Sequence, residues 1–396
     1  MKKTIIILII IIVLPTCFYL FEPILVYNTG WSPYPQTNQL RPVKQHKDSI
    51  LKEADHLLTS IFNQLKTPAF SVAIGQNDKI IWSNAIGYQD IEKSIKANIH
   101  TKFRIGSTSK AVTSIGLGVL IQNNKLDFTT KVKEIIPYSS ANLSEITVKQ
   151  LASHTSGIRN YGTCLCFPIW EYYNTKEYQT AKNSIEVFNG DKLLFTPGSD
   201  FSYSSYNYTL LSAMIESVTK KEFPDFMKTD VFDPLKIHIE TEKPSTNPKN
   251  LSKFYEVENN QYKEVFKVNN SNKWAGGGFI ATPSDLVTLG NAFLNKKILN
   301  DTIVTSLIQP IILTNGKVNK QNYAIGWRND TIQSIFNDKR DVQILHHAGV
   351  AYGATSVFIL FPEYDLSISL LMNKSGSASD LFNHAYTFVK LFLSKS

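Results

Sequence analysis

Apolar and polar positions change period several times along the chain, and each change marks an element. Thr4 to Phe21 is an apolar run of roughly 18 residues behind Lys2 and Lys3, at the lower edge of a membrane span. Tyr27 to Lys47 is rich in Pro, Gln, Asn and Thr and reads as a tether. From Asp48 to Gln64 apolar residues recur at Ile50, Leu51, Leu57, Leu58 and Ile61, a helical period. Ala69 to Ile74 and Lys79 to Ala85, separated by Gly75-Gln76-Asn77-Asp78, predict a β-hairpin. Ala111 to Ile121 is small or apolar on most sides, so it predicts a helix through the middle of a domain. Further helices are expected at Leu210 to Val218, Leu286 to Leu294 and Leu381 to Leu393. Thr282 is the expected N-cap of the second, with Pro283 at its first position. Tyr323 to Arg328, Val342 to His347, Ala354 to Phe361 and Leu366 to Met372 read as successive strands.

A hairpin at the start and a meander at the end, with helices between, predict an α/β (α+β) fold. Its sheet is mixed, mainly antiparallel and flanked by helices, with first strands pairing with last. The expected organisation is an anchor or signal at 1–27, a linker at 28–48 and one domain at 49–396, with a helical lobe at roughly 125–270.

Composition narrows the class. The chain has 396 residues, 43% hydrophobic and 19% charged, an ordinary globular balance. Its formal charge of +8 is dispersed without a dense basic run, so no nucleic-acid partner is expected. The eight histidines are scattered and no His-Glu-x-x-His occurs, so no metal and no cofactor is called for. Of three cysteines, Cys17 lies in the apolar run, and Cys164 and Cys166 flank Leu165. A bridge across one residue is strained, which leaves a loop-local disulfide or two thiols for the latter pair.

The apolar run lacks an obvious small-x-small cleavage site. It predicts an uncleaved anchor with Lys2 and Lys3 inside, and so a domain outside the cytoplasm. A lipoprotein signal ending at Cys17 is the alternative.

The candidate chemistry sits at the head of the apolar helix. Ser107 and Lys110 are three residues apart and share a helical face. A hydroxyl beside an amine that burial keeps neutral is a nucleophile beside its base. The pattern alone is cheap, because Ser49 to Lys52 and Ser217 to Lys220 repeat it on stretches that read as solvated surface. Two later stretches single out the first copy: Phe201-Ser202-Tyr203-Ser204-Ser205, and His347-Ala348-Gly349 before Val350.

Serine, lysine, tyrosine and a basic residue before glycine, in this order, resemble the penicillin-recognising serine hydrolases. The resemblance is greatest to their class C-like branch and, within it, to the LACTB-type serine β-lactamase-like proteins. It covers about Thr67 to Met372, including Ile146 to Gly157 and Trp274 to Gly278. It implies a β-lactamase/transpeptidase-like fold and a Ser107 acyl-enzyme. Lys110 would help take the hydroxyl proton, and Tyr203, as phenolate or through a shared proton, would be the partner base. The amides of Ser107 and Val350 would bind the oxyanion, with Gly349 beside them. His347 would hold the hydrogen-bond network or a substrate carboxylate. Tyr161 to Lys192 would shape access.

Two departures bear on substrate choice. Ser205 stands where many relatives have asparagine, and His347 where many have lysine. Both weaken recognition of β-lactams. The expected function is a membrane-tethered serine hydrolase of amide or ester bonds: a peptidase, D-Ala-D-Ala carboxypeptidase or esterase, and a weak β-lactamase at most. Its partner is a small-molecule or peptide substrate with a scissile carbonyl. The alternative is a non-catalytic or covalent penicillin- or peptidoglycan-binding protein.

Overall fold

The structure is a computed structural model that describes residues 2–27, 29–37, 39–162, 171–243, 248 and 250–393. Cys164 and Cys166 lie outside the described residues, while Cys17 is an exposed free thiol.

A seven-stranded sheet organises the domain. Its strands are β1 (Ala69–Gln76), β2 (Lys79–Asp90), β3 (Ile95–Lys96), β4 (Arg328–Ile332), β5 (Val342–Ala351), β6 (Ala354–Phe361) and β7 (Leu366–Met372). Their order is β4-β5-β6-β7-β1-β2-β3, and every pair is antiparallel. The last strand pairs with the first, Ile368 opposite Ile74, as the apolar pattern predicts. Asn77 and Asp78 turn the first hairpin with φ of 49° and 62°, the left-handed pair that a two-residue hairpin loop needs.

The alternation of side chains along the strands divides the core. Val72, Ile74, Val357, Ile359 and Ile368 join one cluster with the Ser49–Leu65 and Ala378–Leu393 helices. Phe358, Leu360 and Leu371 join another with the central Ser109–Gln122 helix and the helical lobe. That helix is buried on all sides from Ser109 to Leu120, and each fully buried Ile or Leu in it contributes about 2 kcal/mol. The Pro283–Leu294 helix is capped by Thr282, whose side chain accepts from the Asp285 amide.

One predicted strand is not a strand. Tyr323 to Arg328 closes as a turn with Gly326 at φ 78°, and the edge strand begins at Arg328 instead. Glycine in the left-handed region ends an extended run, and it leaves the Tyr323 ring fully buried.

The N-terminal helix is Lys2–Tyr27, and its isoleucines and leucines from Ile5 to Leu14 are exposed. Among the described residues no helix is long and apolar enough to cross a membrane. The described part of the 28–48 stretch runs along the domain. Ser32–Pro33 pairs with Gln261 and Tyr262, the Val43 amide donates to Ala85 O at 2.9 Å, and His46 Nδ1 lies 3.0 Å from Asp55.

Candidate active site

The site forms where β5 crosses the start of the central helix. Gly106 has φ 48°, and a Cβ there would lie 2.8 Å from Val350 O. From the other side, a Cβ on Gly349 would lie 1.9 Å from Ile105 O and 2.8 Å from Ser107 N. Glycine at both places lets the two backbones meet, which brings the amides of Ser107 and Val350 to one junction. Ser356 Oγ locks it by donating to Ile105 O at 2.7 Å. Ser107 stays partly exposed, on the single turn Gly106–Thr108.

Behind it, three polar residues of an otherwise apolar helix reach one segment, 275–279. Thr113 Oγ1 donates to Ala275 O at 2.8 Å, and Ser109 Oγ accepts from the Phe279 amide at 3.3 Å. Lys110 Nζ lies 2.6 Å from Gly276 O, 3.1 Å from Ser205 Oγ and 3.3 Å from Ser107 Oγ. It is fully buried. Burial first, then the positive charges of Arg328 and Lys273, hold its pKa well below that of an ordinary lysine.

Tyr203 is brought beside this pair. Its ring is partly exposed while its oxygen is enclosed and makes no hydrogen bond of ordinary geometry. Lys110 Nζ lies 4.8 Å from the ring centroid. Burial, reinforced by Tyr323, pushes the phenol pKa well above its usual value, against a smaller opposing pull from Ser107. The resting group is therefore a phenol. Of the two states expected for it, phenolate or a proton shared with its neighbours, burial disfavours the phenolate.

Strand alternation separates the two histidines. His346 points to the outer face, with Nε2 2.8 Å from Asp330 and its ring edge-on to Phe382. His347 points inward and is buried. Its Nδ1 lies 2.7 Å from Ala348 O and its Nε2 3.1 Å from Tyr323 OH. Burial and Arg328 depress its pKa well below the usual histidine value. A neutral ring in this setting donates from Nδ1 and accepts from the tyrosine. It belongs to a hydrogen-bond network, but it brings no charge for a substrate carboxylate.

Ser205 opens the Ser205–Thr219 helix. Its amide donates to Asn160 Oδ1 at 2.8 Å, and its hydroxyl touches Lys110. It is thus a neighbour of the amine, almost wholly buried.

Several members of the site carry no sequence pattern. His154, at φ 62°, stacks on Tyr203 with ring centroids 4.2 Å apart. Its Nδ1 accepts from the Ser204 amide at 3.2 Å. The Ser153-His154-Thr155-Ser156-Gly157 run was its only signal. Tyr323 and Arg328 come from the misread turn, and Lys273 from the stretch before the glycines. A narrow cleft with about 20 Å³ of free space, room for about one water, is lined by Ser107, Tyr161, Tyr172, Asn270, Lys273 and Val350. The aromatic stretch after Tyr161 thus does contribute walls. Among the described residues no group of His, Cys, Asp or Glu is placed to hold a metal ion.

A β-lactamase family model matches residues 52–389. The human mitochondrial serine β-lactamase-like protein LACTB is 26% identical, over 87% of this chain and 77% of its own length. The D-amino acid amidase from Ochrobactrum anthropi SV3, complexed with D-phenylalanine, superposes with a TM-score of 0.74 at 17% identity, covering 88% of this chain and 100% of that one. The octameric penicillin-binding protein homologue from Pyrococcus abyssi superposes with a TM-score of 0.72 at 19% identity, covering 86% and 77%. At these identities the two superpositions speak for the fold alone. With the family model covering most of the chain, the chain belongs to the β-lactamase family of serine hydrolases.

Proposed function

We propose that this protein hydrolyses amide or ester bonds through an acyl-enzyme on Ser107, with neutral Lys110 as the base. The observation that carries this reading is the 3.3 Å approach of a fully buried Lys110 Nζ to Ser107 Oγ. Lys110 takes the serine proton as Oγ bonds to the substrate carbonyl carbon. The amides of Ser107 and Val350 donate to the oxyanion. Tyr203, a protonated phenol, hands its proton to the leaving nitrogen or oxygen as that bond breaks, and is reprotonated from Lys110. Water then attacks the acyl carbon, giving its proton to Lys110; the bond from that carbon to Oγ breaks, Lys110 returns the proton to Ser107 Oγ, and the acid leaves. Gly349 keeps the junction open, Ser205 orients Lys110, and His347 fixes Tyr323 beside the ring of Tyr203.

A D-amino acid amidase among its fold neighbours is consistent with amide-type substrates. We further propose that the Lys2–Tyr27 helix tethers the domain to a membrane, with the domain outside the cytoplasm. This is supported by the exposed isoleucines behind Lys2 and Lys3, because an apolar helix surface this long is stable only when covered.

The test is active-site labelling. A fluorophosphonate should modify the wild type and not Ser107→Ala, and labelling should be followed by turnover of a nitrophenyl ester. Labelling that survives Ser107→Ala overturns the assignment. Stable labelling by substrate without turnover instead identifies a covalent binding protein. Removal of residues 1–28 should move the protein from the membrane pellet to the supernatant.

A further inference from the structure

We propose that Lys273 is the anion-recognition residue of this site, so that its preferred acyl substrates carry a carboxylate on the group held in the aromatic cleft. The inference rests on the Ser107 reading above and names its substrate class.

Lys273 lines the same narrow cleft as Ser107. It is 8% exposed, and its Nζ makes one hydrogen bond, to Tyr172 O at 3.2 Å. The rings of Tyr161 and Tyr172 lie 5.0 and 5.2 Å from it. Among the described residues no carboxylate forms an ion pair with it. Glu242, the acid whose charge acts on it, is already paired with Arg104 at 2.6 and 2.7 Å. A lysine taken out of water without an acidic partner costs stability, and among the described residues only one of its three N–H donors is taken by a hydrogen bond. The cleft around it is aromatic and open to Ser107, so an anion that satisfies those donors is also presented to the nucleophile. His347, neutral and bonded to Tyr323, does not supply this charge, so the cationic role falls to the other wall.

The surrounding charges make the recognition pH-sensitive. Burial and Arg104 lower the Lys273 pKa to about 8, with Glu242 pulling the other way. Lys110, held neutral by burial, is the remaining titratable neighbour, and the Lys273 charge lowers its pKa further. Tyr161 and Tyr172 are held as phenols, their pKa values raised by burial. As pH rises through about 8 the ammonium of Lys273 is lost, and with it the attraction for an anion.

The experiment compares two esters of equal acyl length on the full chain: 4-nitrophenyl valerate and the mono-4-nitrophenyl ester of glutaric acid. The readout is the ratio of kcat/KM for the acidic ester over the neutral one. The wild type should favour the acidic ester near neutral pH, and that ratio should fall as pH is raised past 8. Lys273→Met should lower the ratio about tenfold to a hundredfold, the loss of one charge-assisted contact. Lys273→Arg should retain most of it. A wild type that hydrolyses the neutral ester through Ser107 without preferring the acidic one overturns this inference and leaves the Ser107 reading intact. Equal losses on both esters in Lys273→Met, with a shifted acid limb, place Lys273 as an electrostatic neighbour of Lys110 and overturn it too. Absence of Ser107-dependent hydrolysis of either ester overturns both readings.

Discussion

Lys110 Nζ donates a 2.6 Å hydrogen bond to the carbonyl oxygen of Gly276. A neutral amine has two N–H groups and one lone pair. Gly276 takes one N–H and Ser205 Oγ, at 3.1 Å, the other. With the amine neutral, as proposed for the base, its lone pair would face the Ser107 hydroxyl, 3.3 Å away. The segment Trp274–Gly277 therefore does more than make a turn, since its carbonyl sets which way the amine faces.

Lys110→Met and Tyr203→Phe should each lower kcat/KM by about a hundredfold to ten-thousandfold. The double variant should be little worse than the more damaged single one, because the two groups pass one proton. Steady-state kinetics on a nitrophenyl ester measure this, and multiplicative losses count against a shared proton path.

Gly349→Ala should abolish acylation while Ser107 remains present. The added methyl would lie 1.9 Å from Ile105 O and 2.8 Å from Ser107 N, so the strand must move away from the serine. Loss of an aligned oxyanion donor costs about a hundredfold to a thousandfold in kcat. Fluorophosphonate labelling should be lost, and circular dichroism should show that the sheet persists. Undiminished labelling removes the oxyanion role.

Arg328→Gln should move the acid limb of the kcat/KM profile to higher pH. Arg328 is the largest charge lowering the Lys110 pKa after burial itself. Removing it raises that pKa, so a higher pH is needed to free the amine. A limb that stays in place, or moves to lower pH, contradicts neutral Lys110 as the base.

Acid should destabilise the fold through its buried histidines. His154 and His347 both have folded pKa values well below the ordinary histidine value of 6.5. Between those depressed values and 6.5 the unfolded chain binds more protons than the folded one, so stability falls as pH is lowered. Their contribution is complete above that window and declines through it. Urea midpoints measured from pH 7.5 down to pH 5 should drop, and His347→Gln should flatten the slope.

Ser205→Asn should raise the ratio of nitrocefin to nitrophenyl-ester hydrolysis by about tenfold to a hundredfold, because an amide adds contacts that a hydroxyl cannot make. Ser205 is packed against Lys110 and Asn160, so ester hydrolysis should decline as well. The informative quantity is the ratio, and an unchanged ratio removes Ser205 from substrate choice.

Much of the fold was legible because it rests on local periodicity. Two meander strands, Ala354–Phe361 and Leu366–Met372, were bounded correctly by apolar runs between turns. The Thr282 cap of the Pro283–Leu294 helix was legible for the same reason. Tyr323 to Arg328 was misread because its apolar residues mimic a strand, while the φ of 78° at Gly326 leaves no trace in a hydrophobic pattern. The segment at 29–47 is polar, so nothing local foretold that Ser32–Pro33 would add to a small sheet.

In the site, the sequence by itself determined the spacing of Ser107 and Lys110, the candidacy of Tyr203 and the inward turn of one histidine of two. Spacing on a helix and alternation on a strand are properties of consecutive residues. The tertiary structure alone decided the protonation states, because a pKa depends on what surrounds a group in space. Tyr203 is held as a phenol by burial and Tyr323, and Lys110 is desolvated by a helix that passes through the core. It also decided that Lys273, 163 residues from Lys110 along the chain, shares the cleft with Ser107. No local pattern records a contact between residues that far apart, since only the packing of the lobe against the sheet brings them together.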